Sequence, residues 1–96
     1  MLFALTCNDK PDSMALRMET RPAHVDYLKS KLDVIKFAGP LLADDGETVL
    51  GSLLIIDVED KAAAKAFAAA DPYAQAGLFG SVHVHGWKQV IPGLEA

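Results

Sequence analysis

Thr48-Val49-Leu50-Gly51-Ser52-Leu53-Leu54-Ile55-Ile56-Asp57-Val58 is the stretch whose reading decides the fold. Successive side chains of a strand point to opposite faces. Val49, Gly51, Leu53 and Ile55 fall on one face, and Leu50, Leu54, Ile56 and Val58 on the other. A strand that is apolar on both faces is buried on both faces. Something must therefore cover each side of the sheet to which it belongs.

Just upstream, Asp44-Asp45-Gly46-Glu47 supplies a hairpin turn, the Asp-Gly pair being a strong turn signal. Val34–Ala43 before it reads as the preceding strand, with Gly39-Pro40 predicting a bulge or bend. Downstream, residues 57–60 lead into the alanine-rich stretch Lys61–Ala70, a helix on propensity alone. Asp71-Pro72 ends it, because a residue before proline is pushed out of the α region. Residues 73–79 allow one further turn, and Ser81–Ile91 reads as the last strand.

At the other end, Leu2–Cys7 is a short apolar strand closed by the turn-forming residues Asn8 to Asp12. The pattern from Ser13 to Leu32 is helical, with a predicted break near Thr20–Pro22. Proline is accepted in a first helical turn, where its missing N–H would be unpaired anyway. The reading is a short helix or turn over Ser13–Glu19, capped by Ser13, and then a helix starting at Thr20 or Arg21. Val25, Leu28 and Leu32 form its inward stripe, and Asp26, Lys29 and Lys31 look outward.

The resulting order, βαββαβ, is the ferredoxin-like α+β arrangement: a four-stranded antiparallel sheet with helices on one face. The helices cover one side of the doubly apolar strand. A second subunit's sheet is the natural cover for the other, which predicts a homodimer in the form of a dimeric α+β barrel. The 96 residues make a single domain, 1–96. A 51% hydrophobic content in so short a chain leaves more apolar surface than a monomer can bury, again favouring a dimer.

Thirteen acidic residues against nine basic ones give a formal net charge of −4, and the basic residues are scattered. Nucleic acid and anionic membrane surfaces both need clustered cations, so neither is an expected partner. The single cysteine, Cys7, permits no intrachain disulfide, which fits a reducing cytoplasm. The apolar opening is short and lacks a basic leader, reading as a strand rather than a signal peptide. No apolar run approaches the length of a membrane span.

Two short signatures carry the chemistry. Arg21-Pro22-Ala23-His24 places an imidazole in the first turn of its predicted helix, where the dipole favours the neutral ring. Asp71-Pro72-Tyr73 places a carboxylate at the end of another. Brought together, His24 and Asp71 would form an acid–base pair, although each has a plainer reading: a half-buried histidine and a turn-forming aspartate. Arg21 could hold a carboxylate or phenolate, and Tyr73 could donate its phenol to a ligand. His83 and His85 alternate on the last strand with Trp87, so they share a face and fit the polar, aromatic lining of a cavity beside the partner subunit. With His24 they supply three imidazoles, the least a zinc site needs. The expectation is nonetheless no metal and no cofactor, since there is no Gly-rich phosphate loop, nucleophile elbow or cysteine cluster. Gly39 and Gly51 are read as sites of close backbone approach.

Several of these residues fall into one ordered set: Arg21-x-x-His24-x-x-Tyr27-Leu28, Ala38-Gly39-Pro40-Leu41, Gly51-Ser52-Leu53, Asp71-Pro72-Tyr73-x-x-Ala76-Gly77-Leu78-Phe79, and Trp87. From about Met1 to Ile91 the set resembles the YCII-related (YciI-like) family. The resemblance implies a dimeric ferredoxin-like α+β fold and an active site built around a His and an Asp, here His24 and Asp71. It also implies lyase chemistry, the removal of HCl from a chlorinated, hydroxylated aromatic, although most relatives are of unknown activity. His83 and His85 match no residue of that pattern, so a role for them rests on spacing alone.

Two functional readings follow. In the first, the chain is a small cofactor-independent lyase or isomerase. His24 is the general base, Asp71 its orienting carboxylate, and Arg21 or helix-start N–H groups hold the oxyanion. In the second, the same cavity binds a small molecule without catalysis, in a dimeric binding or accessory protein, and the His–Asp contact is structural. An open cleft beside the pair favours the first, and a sealed pair the second.

Overall fold

A computed structural model describes residues 1–93. Its elements are β1 (Leu2–Asp9), α1 (Met14–Lys29), β2 (Ile35–Leu42), β3 (Val49–Asp57), α2 (Lys61–Ala70), α3 (Pro72–Gln75) and β4 (Phe79–Trp87). The four strands form one sheet in the order β2-β3-β1-β4. All three pairings are antiparallel. With the helices on one face, this is the ferredoxin-like arrangement, α3 being a short addition after α2. Among the described residues, no helix is long and apolar enough to cross a membrane.

The doubly apolar strand β3 lies inside the sheet, between β2 and β1. Register fixes its two faces. Leu54 and Ile56 pair with Leu5 and Phe3 and are almost fully buried beneath the helices. Ala64, Phe67 and Ala68 of α2 close over them, with Val84 of β4 completing the cluster. At the other end of the same face, β1 and β3 carry Cys7 opposite Ser52, followed by Asp9. The helix-covered surface therefore runs from apolar to polar along one pair of strands.

Gly51 permits that polar end to form. A Cβ on this residue would stand 2.0 Å from the backbone oxygen of Cys7, a distance no side chain can tolerate. The close approach read at Gly51 is thus real, whereas a Cβ at Gly39 would meet nothing within 4 Å. The predicted bulge at Gly39-Pro40 is also absent. The β2–β3 register shifts instead between Ile35 and Phe37 and between Leu41 and Leu42. Pro40 is accommodated because β2 is an edge strand.

The largest departure from the sequence reading is in α1. Pro22 does not break it, and one helix runs from Met14 to Lys29. Pro22 and Met18, whose carbonyl loses its helical partner, both stand on the exposed side, where water can take the bond. Ser13 occupies the cap position, but its hydroxyl donates to the Pro11 carbonyl rather than capping. Leu32 lies beyond the helix and is exposed, so it is not part of an inward stripe. The α1 residues that are fully buried are Arg17 and His24, two turns apart on one side. The last strand is also earlier than the predicted Ser81–Ile91, ending at Trp87.

Candidate functional site

His24 sits in the interior of α1 rather than in its first turn. Two inferences fail with that position. The N-terminal dipole is more than two turns away and does not set the protonation of the ring, since the effect fades within the first turn. The free N–H groups of the helix start lie near Met14 and cannot serve an oxyanion beside His24.

Asp71 is held by local chain geometry. Pro72 forces it into an extended conformation, φ −62° and ψ 129°, so α2 stops there and α3 starts. Its Oδ1 accepts the Tyr73 backbone N–H at 2.9 Å, capping α3. The same carboxylate lies 2.8 Å (Oδ1) and 3.0 Å (Oδ2) from His24 Nδ1. The turn-forming and histidine-binding readings of Asp71 are therefore both correct. A carboxylate only accepts, so Nδ1 carries the hydrogen, and in the neutral ring Nε2 is left with a lone pair.

Asp71 is 3% exposed and His24 is 9% exposed. The pair is not sealed. Nε2 makes no hydrogen bond, and no buried polar side-chain atom among the described residues lacks a partner, so Nε2 reaches open space. That space is a cavity of about 280 Å³ between α1 and the β2–β3 edge, bordered by Arg17, Arg21, His24, Pro40, Ser52 and Tyr73.

Tyr73 is 1% exposed and stacks on His24, with ring centroids 3.9 Å apart and planes inclined by 15°. The Arg17 guanidinium carbon lies 4.6 Å from the same ring. Residues seven apart on a helix stand about 10 Å apart along its axis, so a ring touching both sits between them. Burial raises the Tyr73 phenol above its ordinary range, while Arg17 and Arg21 pull against that. It therefore remains a neutral donor.

Arg17 is itself tied down. Its Nε donates to Asp9 Oδ2 at 2.7 Å, and its Nη2 donates to Asp9 Oδ1 at 3.1 Å and to Ser52 Oγ at 2.9 Å. Both charged side chains are only 8% exposed. Burial works against the guanidinium charge, but the Asp9 carboxylate, helped by the Tyr73 phenol, outweighs it and Arg17 is raised above its usual range. Arg17, Asp9 and Ser52 were not among the candidates read from the sequence. The available signal was Ser52, a hydroxyl on the otherwise apolar inward face of β3, and Arg17 seven residues before His24.

Of the predicted site residues, His24, Asp71, Tyr73 and Arg21 converge. Arg21 is exposed at the cavity rim. His83 and His85 lie elsewhere. They pair with Thr6 and Ala4, on the sheet face away from the helices, and their rings stack at 6.5 Å. They border a separate groove of about 480 Å³ beside Lys61 and Lys65 of α2. His24 is thus on the opposite side of the sheet from both. Among the described residues, no three His, Cys, Asp or Glu side chains converge as metal ligands. Cys7 is buried beneath the site, and burial, reinforced by Asp71 and Asp9, pushes its thiol up to about 12.

The profile of the YCII-related domain matches residues 1–88. The chain belongs to the YCII-related family. It is 37% identical to protein YciI of Escherichia coli O6:H1 over 98 residues, covering 95% of this chain and all of the relative. An uncharacterised Haemophilus influenzae protein is 33% identical over the same coverage. Among solved structures, it resembles the 5-chloro-2-hydroxyhydroquinone dehydrochlorinase TftG from Burkholderia phenoliruptrix AC1100, in complex with 2,5-dihydroxybenzoquinone. That match has a TM-score of 0.83 and 33% identity, and covers 92% of this chain and 94% of TftG.

Proposed function

We propose that this YCII-related protein is a lyase- or isomerase-type enzyme acting by proton transfer on a small hydroxylated ring, halogenated where the reaction is an elimination. The carrying observation is the geometry of His24: Nδ1 is bound to Asp71, and Nε2 opens onto a cavity. Nε2 takes a proton from the substrate, and Asp71 fixes the tautomer and stabilises the imidazolium. In an elimination, the electron pair left behind expels chloride, so the substrate loses H⁺ and Cl⁻ and no electrons are exchanged with another reactant. The likeness to TftG, a dehydrochlorinase, supports this class of reaction.

The test is a screen of hydroxylated and chlorohydroxylated aromatics, following chloride release and product absorbance. His24→Ala is expected to lower kcat by roughly 10²–10⁴-fold with the fold intact. Asp71→Asn is expected to lower it as well. A fully active His24→Ala protein would sink the assignment and leave a binding protein that uses the same cavity.

The site is proposed to operate in a homodimer. Phe37, Leu53 and Trp87 are 66%, 40% and 38% exposed, and register places them on the helix-free face of the sheet with Ile55. A second copy's sheet is the cover that supports the dimeric barrel. Light scattering is expected to give twice the monomer mass, and Leu53→Asp the monomer. A monomeric wild type would remove the dimer from the proposal.

A further inference from the structure

We infer that Arg17 is a substrate-holding residue: its unengaged nitrogen Nη1, aimed into the cavity by Asp9 and Ser52, binds the oxygen on which negative charge develops as His24 takes the proton. The inference rests on the proton-transfer reading above and adds to it the site of charge development and the ligand class, a planar ring that becomes a monoanion.

Three observations carry it. The first is an account of the guanidinium's donors. Nε and Nη2 are consumed by Asp9 and Ser52, whereas Nη1 makes no direct hydrogen bond, the other polar neighbour of the guanidinium being the Tyr73 phenol at the same cavity wall. No buried orphan nitrogen exists among the described residues, and Arg17 borders the cavity, so Nη1 is open to it. A guanidinium held at two of its three nitrogens is a fixed donor, which an oxyanion can use without reorganisation cost.

The second is placement. Tyr73 lies between Arg17 and His24, 4.6 Å from one and 3.9 Å from the other. The base and the anion holder therefore both stand against one aromatic ring at the wall of the same cavity. A ring lying beside Tyr73 can present a proton to Nε2 while another of its oxygens meets Nη1.

The third is charge. The groups that border or back the cavity are Asp9, Arg17, Asp71, Arg21 and His24. With a neutral imidazole their charges cancel. Once His24 carries the proton, Asp9 is matched by Arg17 and Asp71 by the imidazolium, which leaves Arg21 as the one surplus cation. That surplus balances a substrate monoanion formed in the same step. The site is thereby complementary to the state after proton transfer rather than before it.

The experiment measures equilibrium binding of a hydroxynaphthoquinone, ionised at neutral pH because its hydroxyl is a vinylogous acid, against its neutral methyl ether. The ratio of the two dissociation constants reads anion preference without requiring turnover. Wild type is expected to prefer the anion. A charge-assisted hydrogen bond contributes about 1.5–3 kcal/mol, so Arg17→Lys is expected to reduce the preference about 10- to 100-fold. It keeps the charge beside Asp9 but supplies no counterpart to Nη1. Should Arg17→Lys not fold, Asp9→Asn combined with Arg17→Gln removes both buried charges together and is read the same way. Ser52→Ala, which frees Nη2 without touching the ion pair, is expected to give a smaller loss in the same direction. A merely structural Arg17 would lower the melting temperature and leave the ratio alone. An unchanged ratio in the folded Arg17 variant, or no anion preference in wild type, overturns the inference. An Arg17-dependent preference in a protein that turns over no member of the screen would instead keep this inference and discard the enzymatic reading.

Discussion

Two helices lie on the same face of one sheet and bury opposite kinds of side chain. Beneath α2 the contacts are Ala64, Phe67 and Ala68 against Phe3, Leu5, Leu54 and Ile56. The fully buried residues of α1 are Arg17 and His24, set against Asp9, Ser52, Tyr73 and Asp71. Every buried polar side-chain atom at that end is satisfied or opens to the cavity, so the polar end is organised rather than defective. The contrast teaches a division of labour along β1 and β3. The apolar end supplies the burial that holds the sheet and helices together, and the polar end spends buried volume on groups that a hydrocarbon core would not need.

The comparison can be broken most forcefully from its apolar side. Phe67→Ala is expected to cost about 3–5 kcal/mol, the range for emptying a buried phenylalanine site. Because α2 shares no buried side chain with the Arg17–Asp9 ion pair, kcat measured below the lowered melting temperature is expected to stay near wild type. Loss of activity in the folded variant would show that the two ends are not separable. From the polar side, Asp9→Asn leaves a buried guanidinium without its counter-charge and is expected to cost about 3 kcal/mol. Replacing both partners, Asp9→Leu with Arg17→Met, makes the polar end resemble the apolar one. Stability is then expected to return to wild type or exceed it by about 1–4 kcal/mol, with turnover lost. Chemical denaturation with parallel assays checks all three variants. A double variant as unstable as Asp9→Asn would mean that the ion pair stabilises the fold rather than serving the site.

This division also explains what could be read in advance. The doubly apolar run of β3, the Asp-Gly turn and the alanine-rich run of α2 are local signals, and they located the strands, the hairpin and Lys61–Ala70. His24 and Asp71 were legible as a pair through the family resemblance, because neither residue type is unusual where it stands. Arg17 was not, for a physical reason. The proline at position 22 suggested two helices, and cutting α1 there separates Arg17 from His24, hiding that both lie on one buried side. Apolar periodicity finds Val25 and Leu28, half-buried at the cavity wall with Leu28 against the core, but not the fully buried residues of this helix, which are polar. It selected Leu32, which is exposed beyond the helix end. Asp9 looked like part of a turn, and only the β1–β3 register brings its strand end beside Ser52. His83 and His85 were assigned correctly to one face, but nothing in a single strand says which side of the sheet the helices cover.

Cys7 stands at the border between the two ends and gives the finest probe of the difference. It follows Phe3 and Leu5 on the inward side of β1, yet its thiol is raised by burial first and then by Asp71 and Asp9. The thiol is neutral when protonated, so a raised value in the folded state means that the unfolded chain releases its proton first. Between the ordinary value of 9.0 and about 12 the folded protein holds a proton that the unfolded chain has lost. Unfolding is therefore favoured progressively as pH rises through that window, and below it Cys7 contributes no pH dependence. Cys7→Ala is expected to leave stability near neutral pH changed only by its packing, and to flatten the decline of the melting temperature above pH 9. Native protein at neutral pH should also react slowly with iodoacetamide, since little thiolate exists and the sulfur is buried. Asp9→Leu with Arg17→Met tests the electrostatic share. It removes a nearby carboxylate, which raises the thiol, together with the weaker opposing pull of Arg17. The alkaline decline should then become slightly shallower, without disappearing. If that double variant abolished the decline altogether, the field of the polar end rather than burial would govern Cys7. The border between the two regions would then lie closer to Leu5 than the packing alone indicates.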